Sequence, residues 1–162
     1  MRNQRGFSLI EMIIVMFIAG IITGIAIPVY LNMKPSIKLN GAARQIMGDF
    51  MWARMQSVNQ NNRFKIFFIN EHEYEILDDD NNNGAHNNGE TIIKKNLKRE
   101  KISNKDLKYT INDVIFDPVP AQNPIFEPKG TLYWPLGITV NVSNPAGTKT
   151  ITVATTGRVK IH

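Results

Sequence analysis

The sequence has no cysteine, which excludes a disulfide framework, thiolate metal sites and a cysteine nucleophile. Histidine is scarce as well: His72, His86 and His162 are all there are, and one is the terminal residue. Gly-x-Ser-x-Gly, a phosphate loop and His-Glu-x-x-His are absent, so hydrolase, nucleotide-binding and zinc-protease chemistry have no motif to rest on. Exposed loop histidines explain the three imidazoles, and Trp52 and Trp134 fit core or interface anchors. The formal charge is only +5, too mild to mark a nucleic-acid binder.

Charge is missing most conspicuously near the N-terminus. From Phe7 to Leu31 a single charged side chain occurs, Glu11. Such a run supplies the roughly 20 apolar residues that a helix needs to cross a bilayer. Arg2 and Arg5 precede it and no Lys or Arg lies between Phe7 and Tyr30, so the positive-inside tendency places residues 1–6 in the cytoplasm. A secretory signal peptide is the rival reading, but the apolar region is too long and lacks a small-residue cleavage site before Pro28.

Glu11 needs compensation, since a carboxylate within a lipid-facing helix costs roughly 2.5–3.5 kcal/mol on insertion scales. Two readings are open. Glu11 can lie shallow in the interface, favoured by the positive helix N-terminus, or it can await a cation from another subunit. Pro28 removes a backbone donor inside the apolar helix, which predicts a kink or local melting. Gly20 and Gly24 form a Gly-x-x-x-Gly pair that either permits close helix approach or reflects the frequency of glycine in membrane helices.

The segment Arg5-Gly6-Phe7-Ser8-Leu9-Ile10-Glu11 resembles the processing and N-methylation site of type IV prepilins and type II secretion pseudopilins. The resemblance implies that residues 1–6 are a leader removed by prepilin peptidase after Gly6, leaving +3. It implies that Phe7 becomes a methylated N-terminus and that Glu11 pairs with the terminal amine of a neighbouring subunit. A desolvated amine and carboxylate are each costly alone and less so together, which gives assembly a register device. Phe7, Glu11 and Pro28 are the expected assembly residues. The partners implied are other pilin or pseudopilin subunits, the peptidase and the inner membrane.

Beyond Pro35 the residues Ile37, Leu39, Ala43, Ile46, Phe50 and Ala53 recur at helical spacing, with Lys38, Arg44, Asp49 and Gln56 on other faces. The expected helix covers residues 7–60, about 80 Å at 1.5 Å per residue, with a transmembrane segment over about 8–31 and an amphipathic second half. Residues 61–162 read as an exported β-rich head. Its strands are Phe64–Ile69, Tyr74–Leu77, Thr91–Ile93, Tyr109–Ile111 with Val114–Phe116, Ile138–Val142, Thr150–Ala154 and Arg158–Ile161, rich in β-branched and aromatic residues. Pro118, Pro120, Pro124 and Pro128 confine residues 117–130 to an irregular or edge segment. The expected core sets Ile46, Phe50 and Ala53 against alternate residues of Phe64–Ile69 and Thr150–Ala154.

Within the pilin superfamily the head is similar to GspH/FimT-type minor pseudopilins and minor pilins. The matching pieces are Ala53-Arg54, the loop from Asp79 to Glu90 leading to Ile92-Ile93, Phe126-Glu-Pro-Lys-Gly130 and Thr156-Gly157-Arg158-Val159-Lys160-Ile161. The fold implied is α+β and pilin-like: a long N-terminal helix packed on an antiparallel β-sheet or sandwich. The function implied is a structural subunit, not an enzyme, that supports protein secretion through a type II secretion pseudopilus or builds a type IV pilus. It implies a single pass through the inner membrane with the head on the periplasmic or extracellular side before filament assembly. A major pilin and a DNA-binding minor pilin are the alternatives.

Two stretches carry further chemistry. The loop fits D-x-[DN]-x-[DN]-G-x5-E from Asp79, with Asn81, Asn83, Ala85 by its carbonyl, Asn87 and Glu90 as calcium ligands. A solvated Asn/Gly hairpin loop fits the same residues, and no other cofactor is indicated. Lys94, Lys95, Lys98, Arg99, Lys101, Lys105 and Lys108 give residues 94–108 a local balance of +5, which suits a soluble linker between strands or an acidic partner. Gly157-Arg158-Val159-Lys160 resembles the basic C-terminal motif of DNA-binding FimT-like pilins, which makes Arg158 and Lys160 the candidate DNA contacts. Lysine at the second basic position lacks arginine's bidentate fork.

Overall fold

A computed structural model describes residues 7–85, 87, 90–97, 100–101, 107–108, 113–133 and 136–162. Among the described residues one helix, α1 (Leu9–Gln60), precedes ten strands. The chain divides into two compact units between Lys34 and Pro35, within the span of α1, and not where the helix ends.

In the first unit the helix leaves its apolar side chains exposed, from Leu9 to Met33. The α-helix runs on through Pro28 without local melting, which leaves a kink as the form the missing donor can take.

In the second unit the helix buries Leu39, Ala42, Ala43, Ile46, Phe50, Ala53 and Ser57, a stripe at three- and four-residue spacing. Full burial of Phe50 contributes roughly 2–3 kcal/mol by area removed from water. The helix ends in a left-handed turn: Asn61 has φ 54, and the Asn62 N–H reaches back to the Ser57 carbonyl at 3.1 Å. This is a Schellman closure with asparagine in the place usually taken by glycine.

The strands are β1 (Arg63–Phe68), β2 (Glu73–Asp79), β3 (Ile92–Asn96), β4 (Glu100–Lys101), β5 (Leu107–Lys108), β6 (Ile115–Phe116), β7 (Ile125–Phe126), β8 (Ile138–Asn144), β9 (Gly147–Val153) and β10 (Val159–Ile161). They form two four-stranded sheets, β3-β2-β1-β7 and β10-β9-β8-β6, and the separate pair β4-β5. Every pairing is antiparallel. Phe64 and Ile66 of β1 and Ile151 and Val153 of β9 are buried with the helix stripe, as the alternation predicts. Edge-to-face contacts between Phe68 and Phe116 at 5.0 Å and between Phe50 and Phe126 at 6.5 Å join the first sheet to the second and to the helix.

The proline-rich segment yields only β7, on the edge of its sheet, where a missing donor is tolerated. Two details differ from the sequence reading. Lys94 and Lys95 lie in β3 and not in a linker, because β3 runs on to Asn96. The β4–β5 pair was not expected, and the expected strand over 109–111 lies outside the described residues.

Candidate assembly and binding sites

Glu11 occupies the first turn of α1, where the positive end of the helix dipole favours a carboxylate. Its N–H and that of Met12 both reach the Ser8 carbonyl, at 3.1 and 3.2 Å, which closes the first turn. The Glu11 side chain is exposed, as is Phe7 at 83%. Gly6 and the arginines of the leader lie outside the described residues. A side chain built at Gly20 or Gly24 would meet nothing within 4 Å, so neither glycine is required by packing within this chain. The helix is long and apolar enough to cross a membrane, and none of its most apolar window is buried by the rest of the chain.

The Asn/Gly loop closes on itself. Asp79 is fully buried, and its two carboxylate oxygens accept the N–H groups of Asn83 at 3.0 Å and Gly84 at 2.6 Å. The Asn81 and Asn83 side-chain oxygens accept from the backbone of Asn83 and Ala85, and Glu90 accepts from the Asn87 N–H at 2.7 Å. Lys65 then holds the Gly84 carbonyl at 2.6 Å. Gly84 takes φ +72, which the turn requires. The side-chain oxygens of Asp79, Asn81, Asn83 and Glu90 and the Ala85 carbonyl thus each accept from a neighbouring amide, and among the described residues no three His, Cys, Asp or Glu side chains form a metal-binding group. The described part of the loop is a closed turn between β2 and β3, and a carboxylate oxygen that accepts an amide proton keeps a second lone pair. His86, Asn88 and Gly89 lie outside the described residues.

Beside the loop, Asn62 donates to Asp78 at 2.7 Å and Asp80 at 2.9 Å. Burial and the neighbouring Asp80 charge push the Asp78 carboxyl above its ordinary range, and Asn62 offsets part of that rise.

Three motif pieces that are far apart in sequence meet at the C-terminal end of α1. Arg54 Nε donates to the Gly130 carbonyl at 2.7 Å, and Ser57 Oγ lies 3.0 Å from the Glu127 carbonyl. Gly157, at φ +77, sits so close that an added Cβ would come within 2.1 Å of the Gly130 oxygen and 2.6 Å of Arg54 Nε. Ala53-Arg54, the 126–130 turn and the 156–158 turn therefore form one structural joint. Beyond it, Arg158, the residue before β10, and Lys160 within β10 are both exposed. Of the basic stretch, Lys94 pairs with Glu75 at 3.2 Å and Lys95 with Asp49 at 3.3 Å; Lys98, Arg99 and Lys105 lie outside the described residues.

Two polar networks fasten the helix and escaped the sequence reading. Lys38 meets the buried Asp113 at 2.6 Å. Tyr74 donates its hydroxyl to Asp49, and Gln45 binds the Asn96 carbonyl at 3.0 Å. Burial first, then the Asp49 carboxylate, drives the Tyr74 hydroxyl far above its ordinary pKa. The available signal was position: Lys38, Gln45 and Asp49 flank the buried stripe at helical spacing. Of the histidines, His72 is half-buried with Nδ1 3.3 Å from the Val114 carbonyl, and His162 is exposed with Nε2 3.2 Å from Thr152 Oγ1. Trp52 packs edge-on against Phe64 at 5.9 Å, and Trp134 lies outside the described residues.

Comparison with known proteins agrees with this geometry. Residues 1–27 match the prokaryotic N-terminal methylation motif, and residues 42–157, more than half of the chain, match the family described as type II transport protein GspH. The crystal structure of the Pseudomonas aeruginosa type IV minor pilin FimU is similar in fold, with a TM-score of 0.53 and 16% identity over 78% of this chain and 90% of that one. A second crystal form of FimU gives a TM-score of 0.48 and 15% identity over 76% of this chain and 92% of that one. No curated protein sequence matches the chain. With a methylation motif at the head of an apolar helix and a two-sheet domain knotted around Arg54, the chain belongs to the GspH family of type IV pilin-like proteins.

Proposed function

We propose that this chain is a minor subunit of a type II secretion pseudopilus or a type IV pilus, and that its work is assembly through the N-terminal helix. Prepilin peptidase cuts after Gly6, Phe7 becomes the methylated N-terminus, and Glu11 pairs with the terminal amine of the adjacent subunit. Before assembly the helix resides in the inner membrane with the β-rich domain on the periplasmic side. The observation that supports this most is an exposed carboxylate, Glu11, in the first turn of α1, whose residues from Leu9 to Met33 are otherwise uncharged and are left exposed. A neighbouring amine removes the penalty that hydrocarbon imposes on that carboxylate. Along the second half of α1, Met51, Met55 and Val58 are half-exposed and offer further apolar area for a packed filament to cover.

The test is Glu11→Ala in the host. The variant inserts into the membrane and is processed but is not recovered in sheared or co-purified filaments; incorporation at the native level contradicts the assignment.

Exposure of Arg158 and Lys160 at the start of β10 favours one second reading, contact with duplex DNA. Binding that weakens steeply with added salt and is lost in Arg158→Ala/Lys160→Ala supports it; salt-independent or absent binding removes it.

A further inference from the structure

We infer that Asn83 is a self-processing site: its side-chain amide is displaced by the Gly84 nitrogen to form a cyclic imide, and Asp79 is the base that drives the step. Asn-Gly occurs three times in the sequence, at residues 40–41, 83–84 and 88–89, and a glycine in second place leaves the attacking nitrogen unshielded. The pair at 88–89 lies outside the described residues. At 40–41 the helix opposes the reaction. Gly41 lies inside α1, where its N–H is spent on the helix ladder, and the Asn40 amide donates to the Ser36 carbonyl at 2.9 Å, one turn back.

At 83–84 the same two residue types meet the groups that the reaction needs. Asp79 Oδ2 accepts the Gly84 N–H at 2.6 Å and its Oδ1 accepts the Asn83 N–H at 3.0 Å, so the carboxylate lies against both amides that flank Asn83. A base therefore already holds the proton that must leave the attacking nitrogen. The Ala85 N–H reaches past Gly84 to donate to Asn83 Oδ1 at 2.7 Å. That bond folds the Asn83 side chain back over the Gly84 peptide. It also aims a donor at the oxygen on which negative charge builds as the carbon beside it is attacked. Asn83 is exposed, so water reaches the product.

The step balances without an oxidant or cofactor. The Gly84 nitrogen bonds to Asn83 Cγ as its proton passes to Asp79. Asp79 returns that proton to the side-chain nitrogen, which departs as ammonia, and a succinimide remains. Water then opens the ring at either carbonyl and leaves aspartate or isoaspartate, a new negative charge in the loop.

The full chain, folded in detergent at neutral pH, is compared over days with the same chain unfolded in guanidinium chloride. Peptide mass mapping reads the amide-to-acid gain at residues 40, 83 and 88 separately. Asn83 is expected to convert roughly tenfold or more faster in the folded chain than in the unfolded one, while Asn40 converts more slowly when folded. Asp79→Asn is expected to bring the folded rate at residue 83 down to the unfolded rate. A rate at Asn83 in the folded native sequence that is equal to or below the unfolded rate overturns the proposal, however the variant folds. An undiminished rate in Asp79→Asn overturns the part given to Asp79.

Discussion

Arg54 Nε and the Gly130 carbonyl oxygen lie 2.7 Å apart, and Gly157 fits against that pair only because it has no side chain. The contact explains why three short motifs from the helix end, the 126–130 turn and the 156–158 turn belong together. They fix where the last hairpin leaves the domain, and with it where Arg158 and Lys160 emerge.

Gly157→Ala is expected to destabilise the domain by about 2–4 kcal/mol, from left-handed backbone strain and overlap with backbone oxygen. Gly41→Ala offers the contrast. An added Cβ there meets nothing within 4 Å in a helix, so the change is expected to stabilise by about 0.5–1 kcal/mol. Denaturant unfolding of both variants checks the pair, and equal effects of the two would remove the structural role given to the joint.

The Tyr74–Asp49 contact predicts an alkaline limit to stability. Because the folded state raises the Tyr74 pKa, its contribution is fully present below the ordinary tyrosine value of about 10 and is lost as pH rises above it. Tyr74→Phe is expected to cost about 1–2 kcal/mol near neutral pH through the lost hydrogen bond and to flatten the decline above pH 10. Unfolding free energies measured across that range decide it; an unchanged alkaline slope contradicts the assignment.

Much of the fold was legible because its signals are periodic. The stripe through Ile46, Phe50 and Ala53 and the alternation in β1 and β9 each follow from one face meeting the core. What was not legible depends on contacts between distant segments. Lys38 looked like a solvent-facing helix residue until Asp113, seventy-five positions away, came beside it. The loop after Asp79 matched a calcium pattern by residue type, while the bonds from the Asn83 and Gly84 amides to Asp79 depend on the turn geometry and not on residue type alone.

Titration of the full chain in detergent with millimolar calcium tests the loop from Asp79 to Glu90: saturable heat that disappears in Asp79→Asn supports a cation site, and no heat removes it. The same variant without calcium is expected to lose stability, because an amide accepts only one of the two amide protons that the carboxylate now takes.

The most direct test of the proposed function is the intact mass of the protein isolated from its native host. Loss of residues 1–6 together with one added methyl group at Phe7 is the expected result, for it requires that the peptidase read Gly6-Phe7 and that the helix be inserted for it to do so. A full-length chain with Met1 or Arg2 still in place, recovered from cells that make filaments, would contradict assembly through a processed N-terminus.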